Sequence, residues 1–154
     1  MASPARFRIE MIGRAEEVEK SVNRIVELAG RAIAKEVIAT TPVDTSQALS
    51  NWTGSLGSPS TVTRLPYSPG EYGSTASASG AAAQVAVNAA IKGRRTGQDV
   101  WISNSLPYIN DLNVGNIKPR SAPPPDRTPY PRFAERALQF GTLEVIKNAR
   151  KIFK

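Results

Sequence analysis

Asp99-Val-Trp-Ile-Ser-Asn-Ser-Leu-Pro-Tyr108 is the stretch on which the reading of the fold turns. Side chains alternate along a strand, so a strand over Asp99–Asn104 sends Val100 and Ile102 to one face and Trp101 and Ser103 to the other. Trp101 is too large an apolar surface to leave in water, which predicts cover on the second face as well and hence a central strand. Pro107 then breaks the strand into an X-Pro turn.

Working back from that strand, Arg6-Phe-Arg-Ile-Glu-Met11 alternates in the same way, with Phe7, Ile9 and Met11 opposite Arg6, Arg8 and Glu10. This predicts a second, half-buried strand closed by Gly13. From Arg14 to Thr40 the period changes to three or four: Val18, Val22, Ile25, Ala29, Ile33 and Val37 form the apolar stripe of a long helix. Glu16, Glu17 and Glu19 suit its positive end, and Glu16–Lys20 and Glu27–Arg31 are favourable pairs one turn apart. Pro42 stops the helix. Asp44-Thr-Ser-Gln47 then has the spacing of a capping box, predicting a short helix to about Trp52 whose apolar face is Leu49 and Trp52.

Residues 53–80 are rich in Gly, Ser, Thr and Pro and keep no period, apart from a possible short strand over Thr61–Leu65. A structureless stretch of this length is functional or disordered. Tyr67 and Tyr72 read either as contact residues in a flexible arm or as parts of a surface loop. The alanine-rich run Ala76–Ile91 predicts a helix. Lys92–Gly97 is a basic turn carrying Arg94 and Arg95. Downstream, Ile109–Gly115 predicts a short helix ended by Gly115. Six of the twelve prolines follow between Pro119 and Pro131. That run, with Pro123, Pro124, Pro125 and Tyr130, is an extended arm or crossover rather than a strand. A last helix runs from near Pro131 to the end with Ala134, Ala137, Leu138, Gly141, Val145, Ala149 and Ile152 inward. Gly141 costs about 1 kcal/mol against alanine inside a helix, so a close helix contact is expected there. Lys147, Arg150, Lys151 and Lys154 form a basic stripe on the other face.

The chain of 154 residues is expected to form one domain. It contains no cysteine and no histidine. Disulfides, thiolate chemistry and the commonest general base and metal ligand are thereby excluded. The start lacks the apolar segment of a signal peptide and no run reaches the ~20 apolar residues of a membrane span, so a soluble protein made in a reducing cytoplasm is expected. Asn51-Trp52-Thr53 is then a chance glycosylation triplet. Residues 1–91 hold eight Lys+Arg and eight Asp+Glu, whereas 92–154 hold twelve against five, which places the whole net charge of +7 in the C-terminal part. Such asymmetry marks a nucleic-acid or acidic-partner surface, or serves solubility.

Two motifs resemble a known family. Pro42-Val43-Asp44-Thr45 with Leu49 resembles the Pro-Val-Asp-Thr-Gly-x-Leu signature of phage tail-completion proteins, of the minor tail protein Z type, which join tail to head in the neck. The strand followed by Asn104, Pro107-Tyr108 and then Leu112-Asn-Val-Gly115 resembles their second signature. The chain departs from the pattern in having Ser46 for glycine, Asn113 for glutamate, and a proline-rich expansion over 117–131. The resemblance implies an α+β fold, with a long N-terminal helix and a C-terminal helix packed on a small, mainly antiparallel sheet. It also implies a virion ring, commonly of six subunits, around the DNA path, made in the host bacterial cytoplasm and touching head-connector and tail proteins.

A structural role without chemistry is therefore expected, with no cofactor, metal or membrane partner. Segments 53–80 and 113–131 are expected to act as interface arms, so that deleting Ser58–Gly73 leaves a folded monomer. The alternative is a basic nucleic-acid-binding module using Arg94, Arg95, Lys147, Arg150, Lys151 and Lys154, although no aromatic residue is interleaved for base stacking. An enzyme would have to pair Asp44 with Glu71 or Asp99 with Asp111, and nothing in the spacing fixes either pair.

Overall fold

A computed structural model of the chain describes residues 3–117 and 131–152. Seven elements follow in order: α1 Pro4–Thr40, α2 Gln47–Ser50, β1 Thr53–Leu56, α3 Ala76–Ile91, β2 Val100–Ser103, α4 Ile109–Val114 and α5 Phe133–Ile152. β1 and β2 pair antiparallel, Thr53 opposite Ser103 and Leu56 opposite Val100. The fold is α+β, a long N-terminal and a C-terminal helix with a small antiparallel sheet. Pro123, Pro124, Pro125, Tyr130 and Lys154, and the side chain of Arg150, lie outside the described residues.

α1 holds 37 residues, about 55 Å at 1.5 Å per residue. It absorbs Arg6–Met11, which the alternation assigned to a strand, and runs through Gly13 unbroken. The physical reason lies at its start. Ser3 accepts a hydrogen bond from the Arg6 N–H and Pro4 occupies the first turn, where its missing N–H and fixed φ favour a helix. Six residues of alternation do not outweigh that start when no second strand is there to pair with.

The core gathers on the last third of α1. Gly30, Ala34, Val37 and Ile38 are its buried residues, joined by Leu49, Trp52, Val87, Leu106, Leu112, Phe133 and Ala137 from the other elements. The Trp52 indole N–H donates to Thr41 Oγ1 at 2.8 Å, and its ring meets Phe133 edge-on at 6.3 Å. Phe133 is the largest fully buried side chain. The inward stripe predicted for α5 omitted it and included Leu138, which is exposed. The buried line is Phe133, Ala137 and Gly141, a phase set by where α5 meets α1.

α5 lies against α1 rather than on the sheet, and the helices that meet the sheet are α3 and α1. Glycine makes each approach close. A Cβ on Gly141 would collide with Ile33 Cγ1, and one on Gly54 of β1 would stand 2.9 Å from Ile91 of α3.

β2 has a single partner strand among the described residues, so it is not central. Val100 and Ile102 turn inward, as alternation requires, while Trp101 is 41% exposed and its indole N–H donates to the Gly57 carbonyl. The Gly57–Ser60 turn covers that outer face only in part.

Residues 53–80 are also more regular than expected. Their ends belong to β1 and α3, and the loop between is bound to the body. Asn51 Oδ1 accepts from the Arg64 N–H, while Asn51 Nδ2 and Gln47 Nε2 both donate to the Arg64 carbonyl. Ser50 Oγ accepts from Tyr67 N–H, Ser79 Oγ bridges Ser68 N–H and C=O, and Ser103 and Ser105 donate to the Ser60 carbonyl. Side chains, not a ladder, hold the Arg64 backbone, and the expected strand over Thr61–Leu65 is absent.

Two stability outcomes follow from this packing. Gly141→Ala gains about 1 kcal/mol of helix propensity but overpacks the α1–α5 contact at a typical cost of about 1–3 kcal/mol, so a lower denaturation midpoint is expected. Adding Ile33→Ala should recover part of the loss; a Gly141→Ala protein more stable than its parent would show that the helices stand further apart. Deleting Ser58–Gly73 takes both Arg64 partners from the buried Asn51, leaving it only the Gln47 carbonyl, and both Ser68 partners from the Ser79 hydroxyl, at about 1–3 kcal/mol for each group left unsatisfied. The deletion should abolish the cooperative melt, contrary to the flexible-arm reading, and a sharp melt near the parental temperature would restore that reading.

Candidate functional site

The two motifs, some sixty residues apart in the chain, meet in space. Pro42, Val43, Asp44 and Thr45 line one small pocket of about 190 Å³ together with Tyr108, Leu112 and Ile117. Asn104 joins them: its Nδ2 donates to the Ala48 carbonyl of α2 at 2.8 Å, and its Oδ1 accepts from the Leu106 N–H to shape the turn into Pro107 and Tyr108. Val43, Leu49, Leu106 and Leu112 belong to one buried cluster, with Tyr108 packed against it. Gly115 ends α4 in the left-handed region at φ 83°, its N–H turned back to the carbonyls of Asp111 and Leu112. Burial pushes the Tyr108 phenol above its ordinary value. These residues hold two loops together.

The start of α2 differs from the expected capping box. Its N-cap is Ser46, with no side-chain cap bond, at φ 63° and ψ 7°. That conformation costs an L-residue roughly 1–2 kcal/mol and is natural to glycine. Ser46 is buried, and its hydroxyl lies 2.9 Å from Thr75 Oγ1. Asp44 is not the cap: its carboxylate accepts from the Tyr72 N–H and its carbonyl from the Gly73 N–H, pinning the far end of the 57–75 loop. Gln47, expected to reach back, instead holds Arg64.

The other candidates separate into engaged and open residues. Tyr67 accepts from Arg64 Nη1 and carries the guanidinium over its ring, 5.3 Å from the centroid. Tyr72 remains exposed. The Arg94 guanidinium is held by Asn23 Oδ1 and the Gln98 carbonyl, and Lys147 pairs with Glu144 at 3.1 Å. Lys151 lines a groove with Arg24, Arg31 and Glu27, the last bridging Arg31 at 2.6 Å. Arg24 and Arg31 join this basic surface only through folding, because they lie on α1, more than a hundred residues away. Arg95 is exposed.

Among the described residues no three Asp, Glu, His or Cys side chains gather as a metal site, and no helix is long and apolar enough to cross a membrane. Asp111 is occupied within its own turn, its carboxylate accepting from Asn116 and its carbonyl from Asn116 and Ile117. Glu135, at the start of α5, accepts from Asn113 Nδ2, which holds its carboxyl below the ordinary value.

No protein-family model, no curated protein and no solved structure matches the chain.

The largest unexplained feature is apolar. Phe7, Ile9, Met11, Ile12 and Val18 lie exposed on the first half of α1, where no other described element covers them, and Trp101 and Leu138 lie exposed farther down. Sequence periodicity marked Val18 and Leu138 as core, because it identifies apolar faces without saying which of them the fold covers.

Asn104→Ala removes the side-chain bridge between the motifs and leaves the Ala48 carbonyl without that donor, an expected loss of about 1–3 kcal/mol. Urea denaturation measures it. An unchanged midpoint would show that the motif loops are held by apolar packing alone.

Proposed function

We propose that the protein is a structural component of a tailed bacteriophage, a tail-completion or neck subunit that forms a ring joining the tail to the head connector around the DNA path. The observation that carries this reading is the convergence of the two motifs: both segments of the resemblance meet at Asn104, Tyr108 and Leu112 and lock the same pair of loops. The left-handed Ser46 supports it, since the one signature position where serine replaces glycine has the backbone that glycine favours. The exposed apolar surface of α1 and α5 supports an obligate assembly, because such surface marks protein contact sites. In this role the chain performs no chemistry, and its work is adhesion and geometry.

A second reading, a basic nucleic-acid-binding module, draws on the groove where Lys151 meets Arg24 and Arg31. Glu27 in the same groove reduces its positive charge, and the engaged Arg94 and Lys147 make the stripe less open than its sequence. Affinity of that kind falls with a slope of about −0.9 in log–log salt dependence per phosphate contacted.

Particles assembled without this chain decide between the readings. Filled heads accumulating beside separate, complete tails under negative-stain electron microscopy are the expected result. Intact tailed particles, or arrest before heads fill, would overturn the neck assignment.

A further inference from the structure

We infer that the groove between α1 and α5 is a binding site for a phosphate ester, its phosphate held by Arg24, Arg31 and Lys151. The site goes beyond the neck reading, because it depends on this groove alone and not on what the subunit assembles with. The groove has a volume of about 440 Å³, with Arg24, Leu28 and Arg31 of α1 on one side and Lys151 and Ile152 of α5 on the other. Arg24 and Arg31 stand seven residues apart, two turns along one face of the helix. Three cations from two elements thus line one groove against a single carboxylate, that of Glu27.

Arg31 is the residue that points to a ligand. Glu27 takes only its Nη2, at 2.6 Å, and the neighbouring Nε is buried with no hydrogen-bond partner among the described residues. A buried charged donor left unsatisfied is costly, and a guanidinium offers Nε and Nη together as a fork to an oxyanion. The side chain as a whole is 43% exposed, so a small turn brings the Nε edge to an oxygen in the groove. Arg24 and Lys151 are exposed, and neither enters an ion pair among the described residues, unlike Lys147, whose ammonium is taken by Glu144.

The arrangement of charge selects the ligand class. A phosphate monoester carries about −1.5 to −2 at pH 7 and has three strong acceptor oxygens, which cations on two helices can reach from different sides. A carboxylate brings one charge and two coplanar oxygens, which the fork of one arginine satisfies. The phosphate itself fills only part of the groove, and the space over Leu28 and Ile152 takes the carbon skeleton that bears it. Free nucleotides and nucleic-acid strands both present this chemistry.

Titration of the full chain with deoxythymidine monophosphate at low salt, followed by NMR, tests the site. The Arg31 Nε–H resonance should move to saturation, together with amide signals around Arg24 and Lys151. Arg24→Gln and Lys151→Gln change exposed residues, so both should keep the parental circular dichroism spectrum while each weakens binding about tenfold or more. Glu27→Gln should tighten it, since the one opposing charge is gone. A short oligothymidylate that displaces the nucleotide assigns the site to a strand; one that leaves the nucleotide in place assigns it to free phosphate esters. No saturable shift, acetate binding as tightly as the nucleotide, or an affinity unchanged in all three variants would overturn the proposal. These readouts use the isolated chain, so failure of the site and failure of the neck role are separate results.

Discussion

The close approach of α5 to α1 is the constraint on which the rest of the structure depends. It is possible because Gly141 presents no side chain where Ile33 and the Ala29 carbonyl come near. Setting α5 at that depth fixes its phase and brings Phe133 against Trp52, whose indole in turn ties to Thr41 at the end of α1. The end of the long helix, the short helix α2 and the C-terminal helix thus share one apolar centre, and α3 closes it by lying on β1 at Gly54. Small residues at two crossings let the elements approach closely enough for a modest set of apolar side chains to fill the interior.

That centre occupies only part of α1. The α5 contact reaches back to about Ser21, whose hydroxyl donates to the Ile152 carbonyl, and the turn at Thr96 bonds Glu19 and Asn23. Before Glu19 no other described element covers the helix. A lone helix in water is marginal unless something packs on it, and this one carries apolar residues through most of its circumference. The body and the projecting half therefore differ: the body packs its apolar residues within the chain, while the projection leaves Phe7, Ile9, Met11, Ile12 and Val18 exposed.

The motif residues hold loops by packing and polar connection. Asn104, Asp44, Asn51 and Ser79 each make a side-chain hydrogen bond to a main-chain group distant in the sequence. A protein whose polar side chains are used in this way keeps its loops in defined positions and presents them as a surface. Ser46 holds a backbone conformation unfavourable to serine, and the surrounding packing, together with its contact to Thr75, maintains it.

The sequence by itself determined the elements that rest on local chemistry. Alanine content located α3 at Ala76–Ile91, Gly115 ended α4, and the apolar period from Arg14 to Thr40 located most of α1, since propensity and periodicity act over a few residues. It also located the two motifs and the need for a close contact at Gly141. Tertiary structure decided what local signals leave open. Arg6–Met11 satisfied a strand's alternation and became helix because no strand lay beside it. Trp101 and Leu138 carried a core residue's chemistry and stay partly outside because no described element fully covers them. Residues 57–75 lacked any period yet are held by Asn51, Ser50 and Ser79, whose reach across the fold no pattern along the chain records. Burial depends on which surfaces meet, and that is a property of the whole packed chain.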